Sequence, residues 1–282
     1  MAINALPAQE SAQRLAPPMP AALFAACAGV LCVSVVAIVG WLIATGVPNA
    51  IRVFNPHDPA GVVRPLLATV YVAVLALPPA AIVGVFAAIA AADVRMFGPV
   101  ARTMRNALTL VGSVPTVVIA FALLLESATF GWHLSLTGAA FALSVINMPL
   151  MTALALGALT NRAANIREAA TALGASPMYL VIRVLLPRAY DRLKAALILV
   201  ATQIVGAAAA IAILTGAEVA HSHGAAPIGG WPLAVHVWMR GSSANGYGAT
   251  AAAALLLTVM IWVLQGVAQL RASTEGVPQE GR

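Results

Sequence analysis

The residues able to do chemistry in this 282-residue chain are few, and their spacing argues against catalysis. Hydrolysis within a membrane needs paired Asp, a Ser/His pair, or His and Glu ligands at the reacting depth. The long uncharged stretches of the chain hold no Asp and no His. All five histidines (His57, His133, His221, His223 and His236) fall in the polar segments between those stretches. His221-Ser222-His223, with Glu218 nearby, has ligand types that could hold a metal. Without a third ligand at a defined spacing the pair reads as a solvated loop, and no metal, cofactor or catalytic residue is assigned. No Gly-x-x-x-x-Gly-Lys-Ser/Thr phosphate loop occurs, so the chain is not itself an ATPase of that type.

The spacing that stands out is mechanical. Arg162 to Lys194 interrupts an otherwise apolar chain with Glu168-Ala169-Ala170, then Gly174, Ser176-Pro177 and Leu186-Pro187. Thr160 or Asn161 can cap a helix running toward Leu173. Gly174 suits a left-handed C′ position, where a Cβ would cost energy. Ser176 before Pro177 is an N-cap with proline at N1, so a second helix starts at once. Pro187 permits or bends the exit. Two short helices at an angle, joined by a tight turn, make a rigid knuckle that can fit a groove on a partner and pass its movement on. A basic hairpin lying on anionic lipid is the alternative, but it explains neither the Gly174 turn nor the spacing to Leu186-Pro187.

The elements that must carry this knuckle follow from composition. The chain is 61% apolar and 9% charged, with mean hydropathy +0.94, against about 25% charged residues in a soluble domain. Six uncharged stretches, 21–46, 65–92, 106–125, 135–157, 195–217 and 247–270, reach the roughly 20 residues needed to cross a bilayer. They lack the period-two alternation of barrel strands, and lipid offers no partner to unpaired backbone groups. The expectation is an all-α membrane protein with six transmembrane helices. The first stretch is too long for the h-region of a cleaved signal.

Charge distribution sets the orientation. With the N-terminus in the cytoplasm, only Arg52, Arg64 and Arg240 of the fifteen basic residues lie outside, and the other twelve lie inside, as the positive-inside rule requires. Both termini and the knuckle are then cytoplasmic. The net charge of +6 is therefore a membrane signature, and no nucleic-acid partner is assigned. Residues 1–20 and 271–282 read as polar tails flanking a transmembrane domain at 21–270, with the knuckle in a loop at 158–194. The segment 47–64 reads as a polar outer loop, 93–105 as a basic inner loop, and 218–246 as the longest outer loop. Within that last loop Trp231–Trp238 could form a short interfacial helix. Cys27 and Cys32, five positions apart on one helix, do not face each other. No internal repeat and no soluble domain is evident.

The gaps between Glu168-Ala169-Ala170, Gly174, and Val184-x-Leu186-Pro187 resemble the cytoplasmic EAA loop in the inner-membrane permeases of bacterial ABC importers. That resemblance implies a type I permease-like fold in which the knuckle is a coupling helix. It implies ATPase contact by Glu168, Ala169, Ala170 and Gly174, with Pro187 at the loop's exit. The implied partners are an ATP-binding cassette ATPase, a second permease subunit (homologous or identical), an extracytoplasmic solute-binding protein and membrane lipid, all at the bacterial inner membrane.

Over roughly 60–270 the chain is most similar to the phosphate-type permeases. The similarity is carried by the opening of the second stretch at Gly61–Tyr71, by Gly112-Ser113-Val114-Pro115-Thr116-Val117-Val118, by Pro149 and by Pro232–Val237. That implies phosphate or a related oxyanion as solute. The departures lie where the branch carries charge. Gln203 stands at an Arg position, Gly206 is followed by Ala207–Ala210 in place of a Glu-Thr-Ala-Pro run, and Ala153–Leu156 replaces Arg-Thr-Thr-Glu. Ser113, Thr116, Asn147, Gln203 and Gly206 are the candidate residues of a translocation path; Thr152 is a further polar group within the stretches. Each polar side chain among them could equally serve helix–helix hydrogen bonding. Pro115, Pro149 and Gly206 are candidate bends. Two other functions compete. A subunit that docks an ATPase for sensing or assembly, with little transport of its own, would share the knuckle and the alanine-rich fifth stretch. An ion-coupled secondary transporter would need ionisable residues near mid-membrane, and the stretches carry none.

Overall fold

The computed structural model describes residues 21–55, 61–92, 94–129, 135–160, 164–216, 231–241 and 247–273. The tails at 1–20 and 274–282, and His57, Asp58, His133, Glu218, His221 and His223, lie outside the described residues. Among the described residues twelve α-helices follow one another, apart from a 3-10 turn at Val47–Asn49 and a π-helical turn at Leu180–Leu185: α1 Ala21–Gly46, α2 Ala50–Val53, α3 Val63–Ala92, α4 Val94–Ser113, α5 Thr116–Thr129, α6 Leu136–Thr160, α7 Ala164–Ala172, α8 Pro177–Tyr179, α9 Leu186–Gly206, α10 Ala208–Thr215, α11 Leu233–Gly241 and α12 Tyr247–Ser273. Among the described residues four helices are long and apolar enough to cross a membrane, or five if the bent pair formed by α8–α9 and α10, at 58°, counts as one span.

The centre of the molecule is the pair α3 and α6. Their polar ends meet where the Tyr71 hydroxyl lies 2.8 Å from that of Thr137. Thirteen residues further along α3, Gly84 lies against Met151 and Thr152 of α6, so the two helices run parallel. Buried residues recur every fourth position on both. On α3 they are Ala68, Val72, Ala76, Ala80, Gly84, Ala88 and Ala92; on α6 they are Ala139, Leu143, Asn147, Met151, Ala155 and Leu159. A period longer than 3.6 drifts around the helix in the right-handed sense, the geometry of small-xxx-small packing. Small residues on α3 leave room for Leu143, Met151 and Leu159, so close approach of the backbones provides dispersion contact where lipid offers no hydrophobic drive.

The remaining helices close around this pair. α4 packs on α3 and α6, while α5 packs on α10 and α6; α9 packs on α3, α6 and α12, and α1 on α12. One end of the bundle gathers Val53 of α2, Val62, Leu233 of α11, and Ala252 and Ala253 of α12 into a second buried cluster. There the Val62 N–H donates to the Val53 carbonyl at 2.9 Å. The opposite end holds Leu159 of α6 together with Leu180, Val181 and Leu185 from the segment before α9.

Several expectations are corrected. The stretch 106–125 is not one helix. Pro115 has no N–H and pushes Val114 away from helical geometry, so the chain breaks between α4 and α5. The basic segment 93–105 is largely the first part of α4, bent at Gly98 (φ 51°, ψ −123°) before Pro99. The stretch 195–217 is broken at Ala207 (φ −78°, ψ 52°). At Pro149 the helix α6 continues without interruption. The outer loop near Ala50 is helical as α2. The short helix expected near Trp231–Trp238 forms as α11, with its first turn packed into the bundle: Leu233, Ala234 and Val235 are buried while Trp238 is exposed, and the Leu233 N–H donates to the Thr69 hydroxyl at 2.7 Å.

Candidate functional site

The knuckle is built by local sequence. Its first helix, α7, ends in a closed hydrogen-bond pattern: the Gly174 N–H donates to the Thr171 carbonyl and the Ala175 N–H to that of Ala170, both at 3.0 Å. This pairing is a Schellman motif, and it requires a left-handed C′ residue; Gly174 supplies it at φ 78°. Two residues later Ser176 (φ −67°, ψ 149°) accepts the Tyr179 N–H on its hydroxyl at 3.3 Å, and Pro177 opens the next helix. Helix stop and helix start are therefore both written into Gly174–Pro177.

Two details differ from the sequence expectation. Thr160 is the last residue of α6 and its hydroxyl donates to the Leu156 carbonyl at 2.8 Å, so it does not cap α7; Asn161 lies outside the described residues. The second arm of the knuckle is not short. It runs from Pro177 through a π-helical turn, Leu180–Leu185, into α9 without a break. Pro187 sits inside that continuous helix rather than at an exit, because a proline in the first turn after a wide turn has no carbonyl to clash with.

The surface of the knuckle divides in two. Glu168, Ala169 and Gly174 are exposed, and Leu173 at the tip is 88% exposed. Ala170 is half-buried and packs against the main core, as does Val184. Met178, Tyr179 and Ile182 extend the exposed apolar surface along the second arm. They were absent from the residues selected from sequence, although apolar side chains within a basic segment between the apolar stretches were a legible signal. Further along, Lys194 stacks its Nζ 3.8 Å from the Tyr190 ring centroid and pairs with Asp191 at 3.1 Å. The second arm of the knuckle is anchored in the bundle, since Leu180, Val181, Leu185 and Ala189 are all buried in one cluster with Ala155 and Leu159 of α6.

The candidate path residues do not converge on one surface. Gln203 and Gly206 are exposed, three positions apart on one face of α9 beside the break at Ala207. Thr116 is exposed at the first residue of α5, beside the other break, and Ser113 closes α4. The later pieces of the two broken segments, α5 and α10, pack on each other. Asn147 is different: it is 6% exposed on the α3-facing stripe, and its Nδ2 donates to the Leu143 carbonyl of its own helix at 2.8 Å. Thr152 likewise donates to the Met148 carbonyl at 2.7 Å. Among the described residues no group of three or more His, Cys, Asp or Glu side chains is arranged to hold a metal ion.

The arrangement has known counterparts. The probable ABC transporter permease protein YqgI of Bacillus subtilis (strain 168) is 32% identical over 114 residues. That match spans 40% of this chain and 39% of the relative, so the chain matches well under half the relative's length. The fold is shared with the MetNI methionine ABC transporter in inward facing conformations, at TM-score 0.61 and 18% identity, over 75% of this chain and 95% of that one. It is shared also with an amino acid ABC transporter with histidines, at TM-score 0.54 and 16% identity, over 73% and 90%. The family model for the binding-protein-dependent transport system inner membrane component matches residues 80–271. The matched region takes in the knuckle, α9, both helix breaks and α12, and the chain belongs to this family of transport-system inner membrane components.

Proposed function

We propose that this chain is the permease subunit of an ABC importer. It moves a small solute across the bacterial inner membrane while a separate ATPase subunit, docked on the knuckle, supplies the work. The observation that carries this reading is the knuckle itself. A turn locked by Gly174 and Ser176-Pro177 presents Glu168, Ala169 and Leu173 to a partner, and its base is buried against α6 and continuous with α9. A groove that moves the knuckle therefore moves two bundle helices.

The topology in this reading has six crossings: α1, α3, α4 with α5, α6, α9 with α10, and α12. The support is directional. Because α3 and α6 run parallel, the chain between them must return across the bilayer, although neither α4 nor α5 alone does so. Likewise α9–α10 lead from the knuckle end to α11 at the Val53 end. With the positive-inside rule, both termini and the knuckle are cytoplasmic. A second permease subunit, identical or homologous, faces Gln203 of α9 across the solute path, because an exposed polar side chain at membrane depth would be costly against lipid. An extracytoplasmic binding protein delivers the solute. The resemblance to phosphate-type permeases gives phosphate or a related oxyanion as its class. The alanine run Ala207–Ala210 favours one second reading, an ATPase-docking sensory or assembly subunit with little transport of its own.

The test is ATPase activity of the reconstituted complex, for wild type and Gly174→Asp, with a panel of loaded binding proteins that includes phosphate and other oxyanion carriers. Stimulation by one loaded protein, lost in the variant, supports a coupled importer and names its solute. An ATPase that binds but responds to no solute favours the docking subunit. Failure of any ATPase to bind sinks the proposal.

A further inference from the structure

The arm between knuckle and α9 contains a feature that docking alone does not use. Leu180–Leu185 form a π-helical turn, closed where the Leu186 N–H reaches the Val181 carbonyl five residues back. Pro187 accounts for it. Proline has no N–H to offer Arg183, and in a regular helix its ring would press on that carbonyl. Widening the preceding turn relieves the contact, at the expense of hydrogen-bond geometry. Packing holds the turn from one side only: Leu180, Val181 and Leu185 are 2–4% exposed against the end of α6, whereas Ile182, Arg183 and Pro187 face outward. The elements on either side are stiff. Gly174 and Ser176 lock the knuckle, and α9 is regular for 21 residues and wedged against α3, α6 and α12.

We propose that the π turn Leu180–Leu185 is the flexible joint of this arm, where displacement of the knuckle becomes tilt or rotation of α9, and that Pro187 fixes its position. This rests on the coupling function proposed above. A regular α-helix transmits a push as a rigid rod. A turn holding one surplus residue can exchange wide for narrow geometry, each residue carrying about 100° of phase and about 1.5 Å of rise, without unfolding α9.

The test uses spin-label pairs in a Cys27→Ala, Cys32→Ala background, because both native cysteines are exposed. Labels at Met178→Cys and Tyr190→Cys span the joint, and labels at Tyr190→Cys and Gln203→Cys lie within α9; all three sites are exposed. Each pair is about 18–20 Å apart along a helix axis. In the permease alone, in lipid nanodiscs, the distance distribution across the joint is expected to be about twice as wide as that within α9, and Pro187→Ala narrows it to match. In the wild type, the amides of Val184–Leu186 exchange about tenfold faster than those of Arg192–Lys194, a readout that needs no variant. With the ATPase bound and trapped by ADP-vanadate, the first distance shifts by several Å (about one residue's phase and rise) while the second is unchanged. Equal widths in the two pairs, equal exchange, or a first distance that holds while transport is coupled overturns the joint and leaves the coupling function standing. If no ATPase binds, the coupling function falls, while the measurements on the permease alone still decide whether the turn is flexible.

Discussion

Replacing Gly84 by alanine places a methyl group where α3 and α6 leave no room for one. An ideal Cβ there would lie 2.7 Å from Met151 Cγ, 2.8 Å from Met151 Cβ and 3.3 Å from the Thr152 backbone nitrogen. The middle atom is fixed to the backbone, so rotating the methionine side chain does not clear the clash. To restore ordinary contact near 3.4 Å the parallel helices must part by about 0.6–0.7 Å, loosening a stripe that runs from Ala68 to Ala92. Overpacking of this kind costs about 1–3 kcal/mol, offset by about 0.5–1 kcal/mol from removing a helical glycine. The net expectation is about 0–2.5 kcal/mol of destabilisation, a contrast of about 1–3 kcal/mol with a glycine replaced where there is room. The control is built into the molecule. At Gly157 in α6 and Gly266 in α12 a Cβ would meet nothing within 4 Å, so alanine there is neutral or stabilising by up to about 1 kcal/mol. Reversible unfolding in mixed micelles, followed by tryptophan fluorescence, measures all three. If Gly84→Ala proves as benign as Gly157→Ala and Gly266→Ala, the α3–α6 contact is not the close approach described and the packing argument is refuted.

Gly174→Ala meets no neighbour but imposes a Cβ at φ 78°, a local cost of about 1–2 kcal/mol; Gly174→Asn, better suited to that conformation, is expected to retain more solute-stimulated ATPase activity than Gly174→Ala. Thr69→Val removes the buried acceptor of the Leu233 N–H and is expected to destabilise the protein by about 1–3 kcal/mol in the same unfolding assay, whereas Thr69→Ser keeps most of that stability. Gln203→Cys, on the exposed face of α9, is expected to react with a small polar thiol reagent in the assembled transporter and to be protected by transported solute, while Asn147→Cys, buried on the α3 stripe, stays unreactive; equal labelling of the two would remove Gln203 from the path.

The knuckle was the most legible part of the sequence because its geometry is local. Gly174 at C′, Ser176 at N-cap and Pro177 at N1 act through the backbone of their immediate neighbours, and the structure realises all three. The all-helical class was equally legible, since length and apolarity alone settle how a chain meets lipid. Helix breaks were partly so: Pro115 interrupts its helix and Pro149 does not, because α6 is held through Pro149 by burial on the α3 stripe, while α4 packs chiefly on α3 and α5 chiefly on α10. The sequence could not say that Asn147 turns its amide back onto Leu143 while Gln203 stays exposed, for both are lone polar residues in apolar runs. Nor could it reveal the fit of Gly84 to Met151, or the reach of Thr69 to Leu233 across 164 positions. Composition, charge asymmetry and turn chemistry act along the chain, and the sequence by itself determined a helical membrane bundle with a locked knuckle. Which polar groups are consumed inside the bundle and which remain on a surface were decided by helix–helix contacts between distant residues, which only the tertiary structure brings together.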